Sequence, residues 1–350
     1  MKRLLLTALL STAALPAFAV TEAEVVKTYA DIAEAGYADS LATARALQTA
    51  VQALVTAPSA DTLEAAKTAW RAARVPYQQT EVFRFGNPIV DKWEGRVNAW
   101  PLDEGLIDYV DASYGQSEEN PLSTLNVIAS TKITIGGTEI DASTITPALI
   151  KETLHEADGI EANVASGYHA IEFLLWGQDL NGTGAGAGAR PFTDFLAGEG
   201  CTGGHCDRRA AYLTAATDLL VADLEEMAAN WAEGGAARAA VSADPAKGVQ
   251  AMLTGMGSLS YGEQAGERMK LGLMLNDPEE EHDCFSDNTH DSHFYDGLGI
   301  RNVYLGSYTR PDGSVVSGPS LSELVAAKDG AVDTQLKAEL DASEIGRAHV

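Results

Sequence analysis

At 350 residues, 45% of them hydrophobic, the chain is long enough for two domains with sizeable cores. Its formal net charge of −26 repels nucleic acid and anionic lipid and favours cationic ligands, so a nucleic-acid partner is set aside. Beyond the first residues no apolar run is long enough to span a bilayer.

The chain opens on Lys2 and Arg3, then an apolar run from Leu4 to Leu15, then Ala17-Phe18-Ala19 as a small-x-small triplet. This order predicts a signal peptide over residues 1–19, cleaved after Ala19, and a protein exported to a periplasm or otherwise out of the cytoplasm. From Glu22 to Thr56, Val25, Val26, Tyr29, Ile32, Leu41, Leu47 and Leu54 recur at helical spacing, and Asp61 to Val75 continues as a second helix. Trp70, Arg74, Tyr77 and Glu81 follow at i, i+4, i+7 and i+11, one helix face that mixes aromatic rings with both signs of charge. A salt-bridged surface face anchored by Trp70 and Tyr77 accounts for that pattern equally well. Pro76 should kink this helix and free a carbonyl. Further on, Lys132 to Ile140 alternates around Gly136-Gly137, a hairpin pattern.

Gly167-Tyr168-His169-Ala170-Ile171-Glu172-Phe173-Leu174-Leu175-Trp176 is nearly apolar, carries no Pro and ends at Gly177, which predicts one buried helix of about three turns. Three residues apart on a helix, His169 and Glu172 share a face and can converge on one cation. A buried carboxylate needs such compensation, from a metal ion or from an Arg; Arg74 as an ion-pair partner of Glu172 is the structural alternative.

Asn181 to Gly188 has almost no side chains to bury and marks a boundary, giving expected domains at 20–186 and 187–343. Cys201 and Cys206 bracket a flexible spacer and favour a local disulfide in an oxidising compartment, with a Cys206–Cys284 bridge as the alternative. Leu213, Leu220, Leu224, Met227 and Trp231 form another amphipathic stripe, and a glycine-softened helix is expected from Pro245 to Asn276. The segment Glu279 to His293 is dense in oxygen and nitrogen donors but matches no EF-hand, so a polar capped loop is the competing reading. Glu263, Glu267, His282, Asp287 and His290 are the further candidates in and before it. A second small hairpin is expected from Val303-Tyr304-Leu305 and Val315-Val316, and residues 344–350 read as translated adapter sequence, outside any functional argument.

The stretch from Gly167 to Asp179 closely resembles the Gly-x-His-x-x-Glu signature of the imelysin family, the M75 peptidase-like envelope proteins that include an iron-regulated branch; Gly167, His169 and Glu172 supply its fixed positions. The Trp70 to Glu81 run before Phe83-Arg84-Phe85-Gly86, the segment Asp91 to Glu104 and Ser286-Asp287-Asn288-Thr289-His290 are similar to the family too. The resemblance implies an all-α fold of two helical bundles, with hairpins as ornaments and the signature near the bundle interface. It also implies iron-linked function, with other envelope iron-uptake components as partners. The expected site is a metal site of His169, Glu172 and Glu81, with Trp70, Arg74, Tyr77, Gly167 and Trp176 around it. Iron suits imidazole with carboxylate, and zinc or calcium remain alternatives. Proteolysis ranks second, because the chain lacks His-Glu-x-x-His and Phe173 stands where an inverted zincin motif needs its second His. A metal-free interaction module ranks third.

Overall fold

The computed structural model describes residues 20–276 and 280–347. The predicted signal peptide with its expected cleavage after Ala19, residues 277–279 at the start of the donor-rich segment, and the last three residues of the adapter-like tail lie outside the described residues. What is described is an all-α fold with two small antiparallel hairpins.

Helix α1, Glu22–Thr56, starts on a capping box between Thr21 and Glu24, and α2, Ala60–Gln78, on one between Ser59 and Thr62. The two pack together over the apolar stripe of α1. Pro76 is accommodated in the last turn of α2, where the hydrogen bond it forfeits matters least. The chain then makes a 3-10 turn, Glu81–Phe83, so Glu81 does not continue the helix face of Trp70, Arg74 and Tyr77: the helix ends at Gln78 and the backbone changes course. Helix α3, Pro88–Asn98, follows with Asn87 as cap and Pro88 in its first turn, then the short α4, Glu104–Ile107.

Strands β1, Lys132–Ile135, and β2, Thr138–Asp141, pair antiparallel about Gly136-Gly137, both at positive φ. A single turn, α5 (Pro147–Leu149), continues into a π turn, Ile150–Leu154, and after a 3-10 turn at Ala157–Gly159 the chain enters α6, Gly167–Trp176, whose ten residues are all buried. Helix α7, Cys206–Trp231, packs against α1 and α6. Its Arg208 donates to the carbonyls of Val127, Ile128, Ser130, Ala142 and Ser143 at 2.7–2.9 Å, clamping the first hairpin and its leading loop onto the helix bundle. Helices α8 (Ala236–Ser242) and α9 (Pro245–Gly257) come next. The expected single helix to Asn276 is instead three pieces, α9, a π-helical stretch Ser258–Leu271 and α10 (Gly272–Leu275).

Helix α11, Thr289–Leu305, absorbs Val303-Tyr304-Leu305, so the second hairpin forms one turn later, from β3, Ser307–Thr309, and β4, Val315–Ser317. The correction has a local cause: Gly306, in the left-handed region, caps α11 and releases the chain only there. Helices α12, Leu321–Lys328, and α13, Gly330–Arg347, close the described chain. One apolar core runs through all of this. At its centre Tyr29 and Tyr37 of α1, Phe83, Trp93 of α3 and Trp231 of α7 meet ring against ring, with centroids 4.9–6.3 Å apart.

Candidate metal centre

Helix α6 is pinned from two sides. Gly167, at φ +81°, lies so close to α3 that an added Cβ would fall 2.4 Å from the Val97 carbonyl oxygen. On the other side Trp70 of α2 donates from Nε1 to the Tyr168 carbonyl at 2.9 Å, while its ring meets Trp176 edge-on at 5.3 Å. Tyr77 and Tyr168 pack at 4.8 Å, and the Arg74 guanidinium lies 5.0 Å over the Tyr168 ring. The α2 face read from the sequence thus lies along α6, short of Glu81.

These contacts aim His169 and Glu172 at the loop that carries the 3-10 turn Cys284–Ser286. Glu172 Oε1 accepts from the Ser286 amide at 2.9 Å and from its hydroxyl at 2.7 Å, and Oε2 lies 3.0 Å from His169 Nδ1. The His282 ring stands edge-on to His169, centroids 4.8 Å apart, and Trp100 packs edge-on against both at 4.9 and 6.3 Å. Asp283 takes the guanidinium of Arg74 two-pronged, at 2.7 Å from Nη2 and 3.3 Å from Nε. The buried ion-pair partner of Arg74 is therefore Asp283, and Glu172 is satisfied by Ser286 and His169. Asn288 and Ser292 also donate to Asp283, whose Oδ1 lies 3.8 Å from Nδ1 of each histidine.

His169, His282 and Asp283 each offer a donor atom, all within 4.8 Å of one another, and all three residues are buried. Two imidazole nitrogens here, His169 Nε2 and His282 Nδ1, are buried without a hydrogen-bond partner. Burial, reinforced by the charge of Arg74, pushes His169 down to about 3. Burial and the charge of Arg268 likewise hold His282 well below its ordinary value, so both rings are neutral near pH 7. Burial alone would raise Asp283, but the neighbouring Arg74 outweighs it and holds the carboxyl below the usual range. Glu172 goes the other way: burial and then the Asp283 carboxylate raise it well above the usual range, against the Ser286 bonds.

His282 and Trp100 also line an open cleft of about 460 Å³ between the end of α3 and the π-helical stretch. Glu263 and Glu267 stand on its wall, Glu263 within 3.7 Å of Arg84 and 3.6 Å of Arg268. Glu81 is drawn to Arg268 at 3.3 Å, which also binds Asp296 at 2.7 Å, and its ion pairing belongs to that group rather than to His169. Asp287 accepts the Gly186 amide at 3.0 Å and ties down the glycine-rich loop, while His290 is exposed beside Asp291. Cys201 and Cys206 form a disulfide, and Cys284 is a buried free thiol. Asp283 lay inside the donor-rich segment, and Ser286 and Trp100 inside segments similar to the family, but none had an individual role in the sequence reading, because a loop donor follows no spacing rule.

A crystal structure of a protein assigned as an iron-regulated protein A precursor, from Parabacteroides distasonis, matches with a TM-score of 0.65 at 19% identity, over 93% of this chain and 85% of that one. At that identity the likeness shows the fold. Iron-regulated protein A of Synechococcus elongatus is 42% identical over 71 residues, 20% of each chain, so the match spans about a fifth of that curated relative. The family model for imelysin, Peptidase_M75, covers residues 33–348. Since that match runs through the α6 helix, the Cys284–Ser286 turn and nearly all of the described fold, the chain belongs to the imelysin family.

Proposed function

We propose that this protein is an exported imelysin that captures a metal cation, iron as the name of its relatives suggests, at His169, His282 and Asp283. The observation that carries the reading is the pair of neutral, buried imidazoles, each with one unpartnered nitrogen and each with its Nδ1 3.8 Å from the Asp283 carboxylate. An unpaired buried polar atom costs roughly 1–3 kcal/mol, and two together are best explained by a ligand that both serve. Two nitrogens and one carboxylate oxygen fit iron or zinc better than calcium, which takes six or more oxygens. In this reading Glu172 orients His169 through Nδ1, as carboxylates do behind metal-bound histidines, and Arg74 fixes Asp283. Bound iron is the cargo. The first 19 residues support delivery outside the cytoplasm, where envelope iron-uptake components would be the partners.

The test is elemental analysis and metal titration of protein purified without a His tag. We expect a single high-affinity cation per chain, weakened at least about tenfold by His169→Ala or His282→Ala while the helical circular dichroism signal remains. Unchanged affinity in both variants would overturn the proposal. Three protein donors beside an open cleft are also the complement of a catalytic zinc site, which favours metallopeptidase as the second reading. Peptide hydrolysis that needs added zinc and vanishes in His282→Ala would establish it.

A further inference from the structure

The cleft in front of His282 raises the question of what form of metal enters it, a question that rests on the capture reading above. Six carboxylates line it, those of Glu94, Glu156, Glu161, Glu263, Glu267 and Glu280, against the two guanidinia of Arg84 and Arg268. Both guanidinia are already paired with carboxylates. Arg84 is held by Asp91 at 3.1 Å and Glu94 at 3.2 Å, and Arg268 by Glu81, Glu263 and Asp296 at 2.7–3.6 Å. Glu156, Glu161 and Glu267 are exposed and have no cationic partner among the described residues. Behind this rim stands His282, 5% exposed, whose Nδ1 has no hydrogen-bond partner.

At about 460 Å³ the cleft has room for a small chelate, so size does not discriminate between a bare ion and a complexed one. Charge does. Recognition of a carboxylate-rich chelate calls for unpaired arginines or lysines, whereas a carboxylate-lined concavity concentrates cations and repels anions. We propose that the cleft admits the free hydrated divalent cation and excludes the same metal held in an anionic chelate, with Glu156, Glu161 and Glu267 setting the rate of entry.

The experiment follows tryptophan fluorescence by stopped flow, Trp100 being in ring contact with both histidines. The probes are Co²⁺ alone and Co²⁺ as its anionic nitrilotriacetate complex. With Co²⁺ alone we expect association that slows as salt is raised from about 10 to 300 mM, because the rim's attraction is screened. In the triple variant Glu156→Gln, Glu161→Gln, Glu267→Gln the low-salt rate should fall about five- to tenfold and lose most of its salt dependence, with the final affinity changed far less. The chelate should not co-elute with the protein on gel filtration. An intact chelate that co-elutes, or a triple variant as fast and as salt-sensitive as the parent, would overturn this inference while leaving metal capture standing. Failure of the unaltered protein to bind Co²⁺ at all would instead overturn capture, and the inference with it.

Discussion

Between Glu172 and His169 sits a proton whose place depends on what else is bound. With Glu172 raised by burial and by Asp283, the acid form donates to His169 Nδ1 and leaves the ring's second hydrogen on Nε2. A cation at Nε2 needs that hydrogen gone and the carboxylate formed, so capture releases about one proton from this pair and tightens as pH rises. We expect Glu172→Gln to remove that proton from the count, because a neutral amide can accept from Nδ1–H directly. Calorimetric titration in buffers of different ionisation enthalpy reads the number; an undiminished release in the variant would place the proton elsewhere. His169 and Glu172 were legible in the sequence because helix geometry puts them on one face and the family-like residues around them single that face out. Asp283 was hidden because its distance from His169 is set by how a loop folds back. Glu81 was misplaced for a third reason: extending a pattern by eleven residues assumes the helix lasts that long, and α2 ends three residues before it.

At the scale of elements, the site depends on how closely α6 lies against α3. Gly167 has both a positive φ and a neighbour where its Cβ would go, so Gly167→Ala must strain the backbone and push the helices apart. A cost of about 2–5 kcal/mol is expected from the two effects together. Urea unfolding should show a lower midpoint with little change in slope, and a stability within 1 kcal/mol of the parent, on the usual scale of surface changes, would contradict the geometry. Periodicity revealed most of the helices for the same physical reason that they form: an apolar stripe must be buried. It could not reveal the π-helical register of Ser258–Leu271, since a stripe read by eye does not distinguish 3.6 residues per turn from a wider winding. Nor could it show that Gly306 would delay the second hairpin by a turn.

For the whole molecule, the two buried histidines predict acid sensitivity. In the folded protein His169 is held down at about 3, whereas an unfolded histidine takes up its proton near 6.5. The contribution is therefore present above pH 6.5 and lost as pH falls toward 3, on the order of 5 kcal/mol for His169 alone. His169→Asn, whose amide oxygen keeps an acceptor for the Glu172 acid, should flatten the fall in unfolding free energy between pH 6.5 and 4 in denaturant titrations at stepped pH. Parallel curves for parent and variant would remove His169 as the cause.

Ser286 reaches Glu172 across 114 residues of chain, and His282 and Asp283 meet His169 over a similar gap. A cation held by these donors would act as a removable crosslink between two distant stretches, one that the unfolded chain cannot reproduce. The loaded and empty forms would then differ in how often the loop around Cys284–Ser286 opens, and opening is what exposes a chain to proteases. Metal supply would be written into the lifetime of the protein as well as into its occupancy, and scarcity would thin the population of receptors that had found nothing to carry.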